Sequence, residues 1–176
     1  MNKAGLLRIL KIFHRLEIPF ALVGGHAVAA WGAVRATRDI DFLAAVLPDQ
    51  IIELVNKFKK AGFKVDYRKG DEGDPVQGVI GLESMKAEDA EPVEIILGIK
   101  KMPTGIFERA RQILFLGMEV PVTSPEDLIV LKCLAAGPVD LEDARTIFKI
   151  MNKKMDMEYL KSEFKRCRLS LEKLTK

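Results

Sequence analysis

The sequence predicts an α/β (α+β) fold: a mixed sheet flanked by helices, followed by a helical carboxy-terminal portion. Three observations predict it. Segments of helical period alternate with short apolar runs as far as residue 123. One of those runs carries two carboxylates at i and i+2, Asp39 and Asp41, which a strand places on a single face. From Ser124 onward only helical patterns follow, opened by Ser124-Pro125-Glu126-Asp127: a Ser N-cap, Pro in the first turn and two acids beside it. We therefore divide the chain into an α/β core, residues 1–123, and a helical subdomain, residues 124–176, packed on that core.

The elements follow in order. Leu6, Leu7, Leu10, Phe13 and Leu16 recur at helical spacing and predict an amphipathic helix over 2–16. Phe20–Val23 reads as a short buried strand, and the alanine-rich run Gly25–Gly32 as a helix able to pack closely. Asp39–Val46 is the second strand. Pro48, at a first helical position, begins a helix to about Lys60, with Gly62 as its C-cap. Strands are expected at Phe63–Tyr67, Gln77–Leu82 and Pro92–Leu97, the first two joined through the turn-rich run Lys69–Pro75 and the last two by a charged connection. Phe107–Arg111 reads as a short helix, and Ile113–Phe115 with Met118–Val122 as a hairpin around Leu116-Gly117. Helices are expected at about 125–136, 140–151 and 156–167, with Gly137-Pro138 and Met151–Lys154 as breaks.

Composition excludes several classes. With 48% hydrophobic and 30% charged residues in 176, the chain is neither disordered nor fibrous. A net charge of +3 admits an anionic partner without requiring one. The apolar stretch Ile18–Val34 is interrupted by Pro19, Gly24, Gly25, His26 and Gly32, which argues against a membrane span. Cys133 and Cys167 have no CxxC neighbour and read as free thiols of a reducing compartment, so a cytoplasmic protein is expected.

Two carboxylates on one strand face repel each other unless a divalent cation lies between them. Asp39 and Asp41 are therefore candidate metal ligands. Glu94, an acid within the apolar run Val93–Leu97, is the candidate third ligand; its alternative is a solvent-facing place on an edge strand. Gly24-Gly25, where a strand turns into a helix, lets backbone approach a phosphate. His26, in the first turn of that helix, reads equally as a phosphate or base contact and as a partly buried side chain. Arg35 and Arg38 flank the acidic pair and would meet either substrate phosphates or neighbouring acids, while Thr37 would hydrogen-bond the loop. Lys132, among Ile129, Val130, Leu131 and Leu134, points to a phosphate, a carboxylate or the polar stripe of its helix.

Taken together, Gly24-Gly25 followed by Arg35-x-Thr37-x-Asp39-Ile40-Asp41 resembles the nucleotidyltransferase superfamily related to DNA polymerase β, and within it the AbiEii-type or minimal nucleotidyltransferase-like proteins. Val93-Glu94-Ile95-Ile96, the run from Ser124 to Lys132 and Asp140-Leu141-Glu142-Asp143 extend the likeness from about Phe20 to Ile150. Three positions depart from it: Gly25 replaces a frequent serine, Glu94 a commoner aspartate, and Gly137-Pro138 lacks an arginine of the family pattern.

The resemblance implies a nucleotidyltransferase-type mixed sheet and transfer of an NMP from an NTP to a hydroxyl. Two Mg²⁺ ions, or Mn²⁺, would sit on Asp39, Asp41 and Glu94. Gly24, Gly25, His26, Arg35, Thr37, Arg38 and Lys132 would face the nucleotide. A tRNA end, a protein hydroxyl or a small molecule are the acceptors it implies, with a toxin–antitoxin partner or a homo-oligomer as associations. The competing expectation is a nucleotide- or RNA-binding module of the same fold without catalysis.

Overall fold

A computed structural model describes residues 1–85 and 91–175; residues 86–90, most of the charged connection expected before the Glu94 strand, lie outside the described residues. Six α-helices, one 3-10 helix and seven strands are formed among the described residues. In chain order they are α1 (Lys3–Arg15), β1 (Phe20–Val23), α2 (Gly24–Ala30), β2 (Ile40–Ala44), α3 (Ile51–Lys60), β3 (Phe63–Lys69), β4 (Gly78–Ser84), β5 (Val93–Leu97), β6 (Arg111–Phe115), β7 (Met118–Val122), α4 (Pro125–Ala135), α5 (Pro138–Met151) and α6 (Met157–Cys167), with the 3-10 helix at Leu171–Leu174.

The strands build one mixed sheet in the order β3-β4-β5-β2-β1-β7-β6. β2 lies at its centre, antiparallel to β1 and parallel to β5. Period-two alternation then sorts its residues. Ile40, Phe42 and Ala44 join the main core, whereas Leu43 joins a smaller cluster with Val23, Ile106 and Leu131. Asp41 shares the Leu43 face, and Glu94 shares it with Ile96, which packs on the same cluster. The carboxylates thus occupy the less filled face of the central strands.

The main core is continuous from Met1 and Leu6 through the sheet to Leu160, Phe164 and Leu174. Leu128, Ile129 and Val130 of α4 belong to it, so the helical portion and the sheet share buried surface. α4 is apolar nearly all round because it is covered nearly all round.

Several elements differ from the expectation for local reasons. α1 buries Leu6, Ile9, Leu10 and Phe13, leaving Leu7 41% exposed on its outer edge. α3 starts at Ile51 instead of Pro48, because a turn closes first: Gln50 N donates to Leu47 O at 2.9 Å, and Leu47 N donates to Gln50 Oε1 at 3.1 Å. No helix forms over Phe107–Arg111. That segment is a run of turns, and Arg111 is drawn into pairing with Val122. α5 starts at Pro138, with Gly137 as N-cap, since a proline suits the first helical position where its missing N–H costs nothing. The β6–β7 hairpin turns through Leu116 (φ 48°) and Gly117 (φ 73°), both left-handed, as a two-residue connection matched to sheet twist requires.

Candidate active site

The site is built on a cross-strand row. Asp41 of β2 stands opposite Glu94 of β5, Glu94 opposite Gly81 of β4, and Gly81 opposite Asp66 of β3. Partners in register on neighbouring strands lie about 4.8 Å apart and point to the same face. Three carboxylates and a bare glycine therefore cross four strands side by side. Asp39, two residues before Asp41, is exposed just ahead of β2.

Asp41 feels this crowding. Its carboxyl is pushed up to about 6, first by burial, then by the negative charges of Glu94 and Asp39, with Lys132 and Arg35 pulling it partly back. Mutual repulsion of this kind is relieved by a cation, and the donor set, all carboxylate oxygen, suits a hard divalent one. No three His, Cys, Asp or Glu side chains among the described residues are gathered as a ready cage. Glu94 is engaged by a guanidinium. Its Oε1 accepts from Arg68 Nη2 at 3.1 Å, and Arg68 Nε lies 3.4 Å from Asp66.

The glycine turn is shaped by its neighbours. Gly24 has φ +64°, and a Cβ there would fall 1.8 Å from Asp41 Oδ2. The backbone at Gly24 thus runs directly against the carboxylate, which only glycine permits. At Gly25 a Cβ would fall 2.7 Å from Thr37 Cβ, so Thr37 fills the space a serine side chain would need. Thr37 also donates from Oγ1 to Asp39 O at 3.3 Å, tying the loop that carries Asp39 to the start of α2.

The basic candidates are engaged in ion pairs of their own. Lys132, only 9% exposed, lies 2.7 Å from Asp140 Oδ1 and 2.9 Å from Asp143 Oδ2. Arg35 also pairs with Asp143, closing a chain Arg35–Asp143–Lys132–Asp140 beside Asp41. Of the openings that the sequence left, both residues take the neighbouring acids. Arg38 is exposed. His26 packs its ring edge-on at 5.0 Å from Phe115, its Nε2 buried without a hydrogen-bond partner, and burial lowers its pKa. The structure therefore brings Asp39, Asp41, Glu94, Gly24, Lys132 and Arg35 together, and sets His26 against β6.

Two cavities meet the carboxylate row. An apolar slot of about 230 Å³ is lined by Gly24, Asp41, Ile96, Leu131 and Lys132. A larger cavity of about 410 Å³ covers the rest of the row and is lined by Asp39, Glu94, Gly81, Asp66, Arg68 and Lys64. Asp66 and Arg68 escaped sequence reasoning; their signal is the alternation Lys64, Asp66, Arg68 on one face of β3.

The acids of Ser124-Pro125-Glu126-Asp127 hold the helices in place. Ser124 Oγ caps α4 by accepting from Asp127 N at 3.1 Å. Glu126 Oε1 accepts from Asp156 N at 2.8 Å, ahead of α6. Asp127 is fully buried. It accepts from Arg109 Nε and Nη2 at 3.0 and 2.9 Å and from Tyr159 OH at 2.6 Å. Both cysteines are buried, and burial pushes the Cys133 thiol up to about 11, so it is no nucleophile. No helix among the described residues is long and apolar enough to cross a membrane.

Solved structures share this fold. The antibiotic-resistance factor ANT(2'')-Ia superposes with a TM-score of 0.60 at 19% identity, covering 93% of this chain and 89% of that one. The lincosamide antibiotic adenylyltransferase LnuA, bound to lincomycin, gives 0.54 at 16% identity, over 85% and 98%. An antigenic nucleotidyltransferase-like protein from Paracoccidioides brasiliensis gives 0.54 at 15% identity, over 94% and 87%. At such identities the likeness concerns the fold. No curated protein sequence matches the chain. Residues 6–173 match the family described as "Nucleotidyltransferase of unknown function (DUF6036)", and the protein belongs to that family.

Proposed function

We propose that the protein transfers an NMP from an NTP to a hydroxyl acceptor at the Asp41–Glu94 row. The observation that carries this reading is the register itself: Asp41 and Glu94 are paired across two parallel strands, with the Gly24 backbone pressed against Asp41. That places an anion-accepting backbone and a cation-accepting carboxylate cluster within one side chain of each other. Asp39, Asp41 and Glu94 would hold Mg²⁺, as two ions, or Mn²⁺. Such ions, when bound, neutralise the triphosphate and polarise the α-phosphorus.

The chain's own groups supply the rest. The slot beside Gly24 and Lys132 is apolar and suits the nucleoside, with its phosphates reaching Gly24-Gly25 and the Lys132–Arg35 charges. The larger cavity opens on Asp39 and Glu94, where an acceptor hydroxyl must arrive. Its volume of about 410 Å³ is of small-molecule size, which favours a small hydroxylated acceptor over a protein hydroxyl. Glu94 orients that hydroxyl and takes its proton. The acceptor oxygen bonds to the α-phosphorus, the bond from that phosphorus to the bridging oxygen breaks, and pyrophosphate leaves.

A second reading, a nucleotide-binding module without catalysis, draws on one observation: Glu94 and Lys132 are both held by other charges. ATP labelled at either the α- or the γ-phosphate, incubated with protein, Mg²⁺ and cell extract, decides between them. Label on an acceptor from α-ATP alone, with γ-label released as pyrophosphate, supports transfer. Transfer of γ-label beyond that seen with extract alone, or nucleotide binding with neither label moved by the protein, contradicts it. The labelled species, whether tRNA, protein or small molecule, names the acceptor. It also tests the toxin–antitoxin association, which a labelled tRNA would support.

A further inference from the structure

Arg68 takes no part in the transfer step proposed above, yet it touches the third carboxylate. It occupies β3 two residues beyond Asp66, on the same strand face. Between Asp66 and Glu94 in the cross-strand row lies Gly81. A Cβ on Gly81 would meet nothing nearer than Asp66 O at 3.7 Å, so the missing side chain leaves a trough in the sheet face. The Arg68 guanidinium joins the two acids on either side of that trough, Nη2 to Glu94 at 3.1 Å and Nε to Asp66 at 3.4 Å. The other cation of the cavity, Lys64, is committed to Glu83 at 2.9 Å and does not reach Glu94.

We propose that Arg68 is a positioning residue that holds Glu94 on the acceptor side of the row, so that a divalent cation must compete with its guanidinium for the third carboxylate. This rests on the reading of Asp39, Asp41 and Glu94 as the cation ligands. The competition is graded and reversible, because both partners are partly exposed, Arg68 60% and Glu94 43%. An exposed pair of this kind holds its geometry weakly, and its release changes an equilibrium by about twofold to fivefold. Binding of the cation frees Arg68 towards the acceptor cavity while Asp66 still steadies it. Loading of the site and rearrangement of the acceptor wall are then one event.

The test is direct Mn²⁺ binding to the nucleotide-free protein, read by electron paramagnetic resonance at fixed ionic strength. The proteins are wild type, Arg68→Gln, Glu94→Gln, the double variant and Lys64→Gln. Arg68→Gln is expected to bind Mn²⁺ about twofold to fivefold more tightly than wild type, and Lys64→Gln to match wild type. Glu94→Gln should bind more weakly, and adding Arg68→Gln to it should change nothing further. If Arg68→Gln binds no more tightly while Glu94→Gln still weakens binding, the positioning role is overturned and the metal reading stands. An Arg68→Gln gain that persists in the Glu94→Gln background overturns it too, since the effect would then be a general field. If no variant binds Mn²⁺ saturably, the metal reading and this inference fall together. Far-ultraviolet circular dichroism of each variant confirms that the β3 and β5 substitutions leave the fold intact.

Discussion

Asp41 concentrates the tension of the site in one side chain. Its carboxyl, pushed up to about 6, stands well above the value of about 3.9 in an unfolded chain. Between those values the native state holds a proton that the unfolded state has lost, so stability falls as pH rises through this window. The ionised group is a burden above about pH 6 and none below about pH 4. Asp41→Asn should therefore raise the metal-free melting temperature by roughly 3–6 °C at pH 8 and leave it unchanged at pH 4, as followed by circular dichroism in EDTA. Divalent cation should stabilise the wild type at pH 8 and do so less at pH 5, where Asp41 is largely protonated. Gly24 carries the matching constraint. Gly24→Ala combines a left-handed φ with a Cβ 1.8 Å from Asp41 Oδ2, so it should cut transfer by about tenfold or more in a protein that remains folded. A steady-state assay on the purified variant checks this, and an unchanged rate would remove Gly24 from the site.

Among the elements, β2 and β5 were legible because period-two alternation is strict: an acid between apolar neighbours must face the opposite side from them. β1 was legible as a short, continuously buried apolar run, and α4 by its Ser124 cap and Pro125. What stayed hidden was cross-strand register. Nothing local to Arg68 says that it would meet Glu94, 26 positions away, because that depends on how β3, β4 and β5 align. Asp127 was hidden for a similar reason. It looked like a first-turn acid helping the α4 dipole, whereas it is a fully buried acceptor for Arg109 and Tyr159. Arg109 lies 4.1 Å over the Tyr159 ring, so one carboxylate fastens the turns before β6 to α4 and α6. Asp127→Ala should cost about 3 kcal/mol, seen as a lower denaturant midpoint at unchanged slope. A loss within the ordinary range of surface substitutions would show that the clamp is dispensable.

At the scale of the whole molecule, the boundary placed at residue 124 is one of composition, and the core runs across it. Leu128, Ile129, Val130, Leu160 and Phe164 are buried in the same cluster as Phe42 and Ile95 of the sheet. The chain should therefore unfold in a single calorimetric transition with equal calorimetric and van't Hoff enthalpies, and two resolved transitions would contradict the shared core. That continuity also serves the site. Lys132 and Asp140 come from the helical part and Asp41 from the sheet, and all three line the apolar slot. The measurement that bears most directly on this arrangement is nucleotidyl transfer from an α-labelled NTP by wild type, Asp39→Ala, Asp41→Asn and Glu94→Gln, with NTP binding followed in parallel. The expected result is label on an acceptor with wild type, a loss of at least about a hundredfold in each variant, and retained nucleotide binding. Transfer that survives loss of Asp41 and Glu94 would contradict the account.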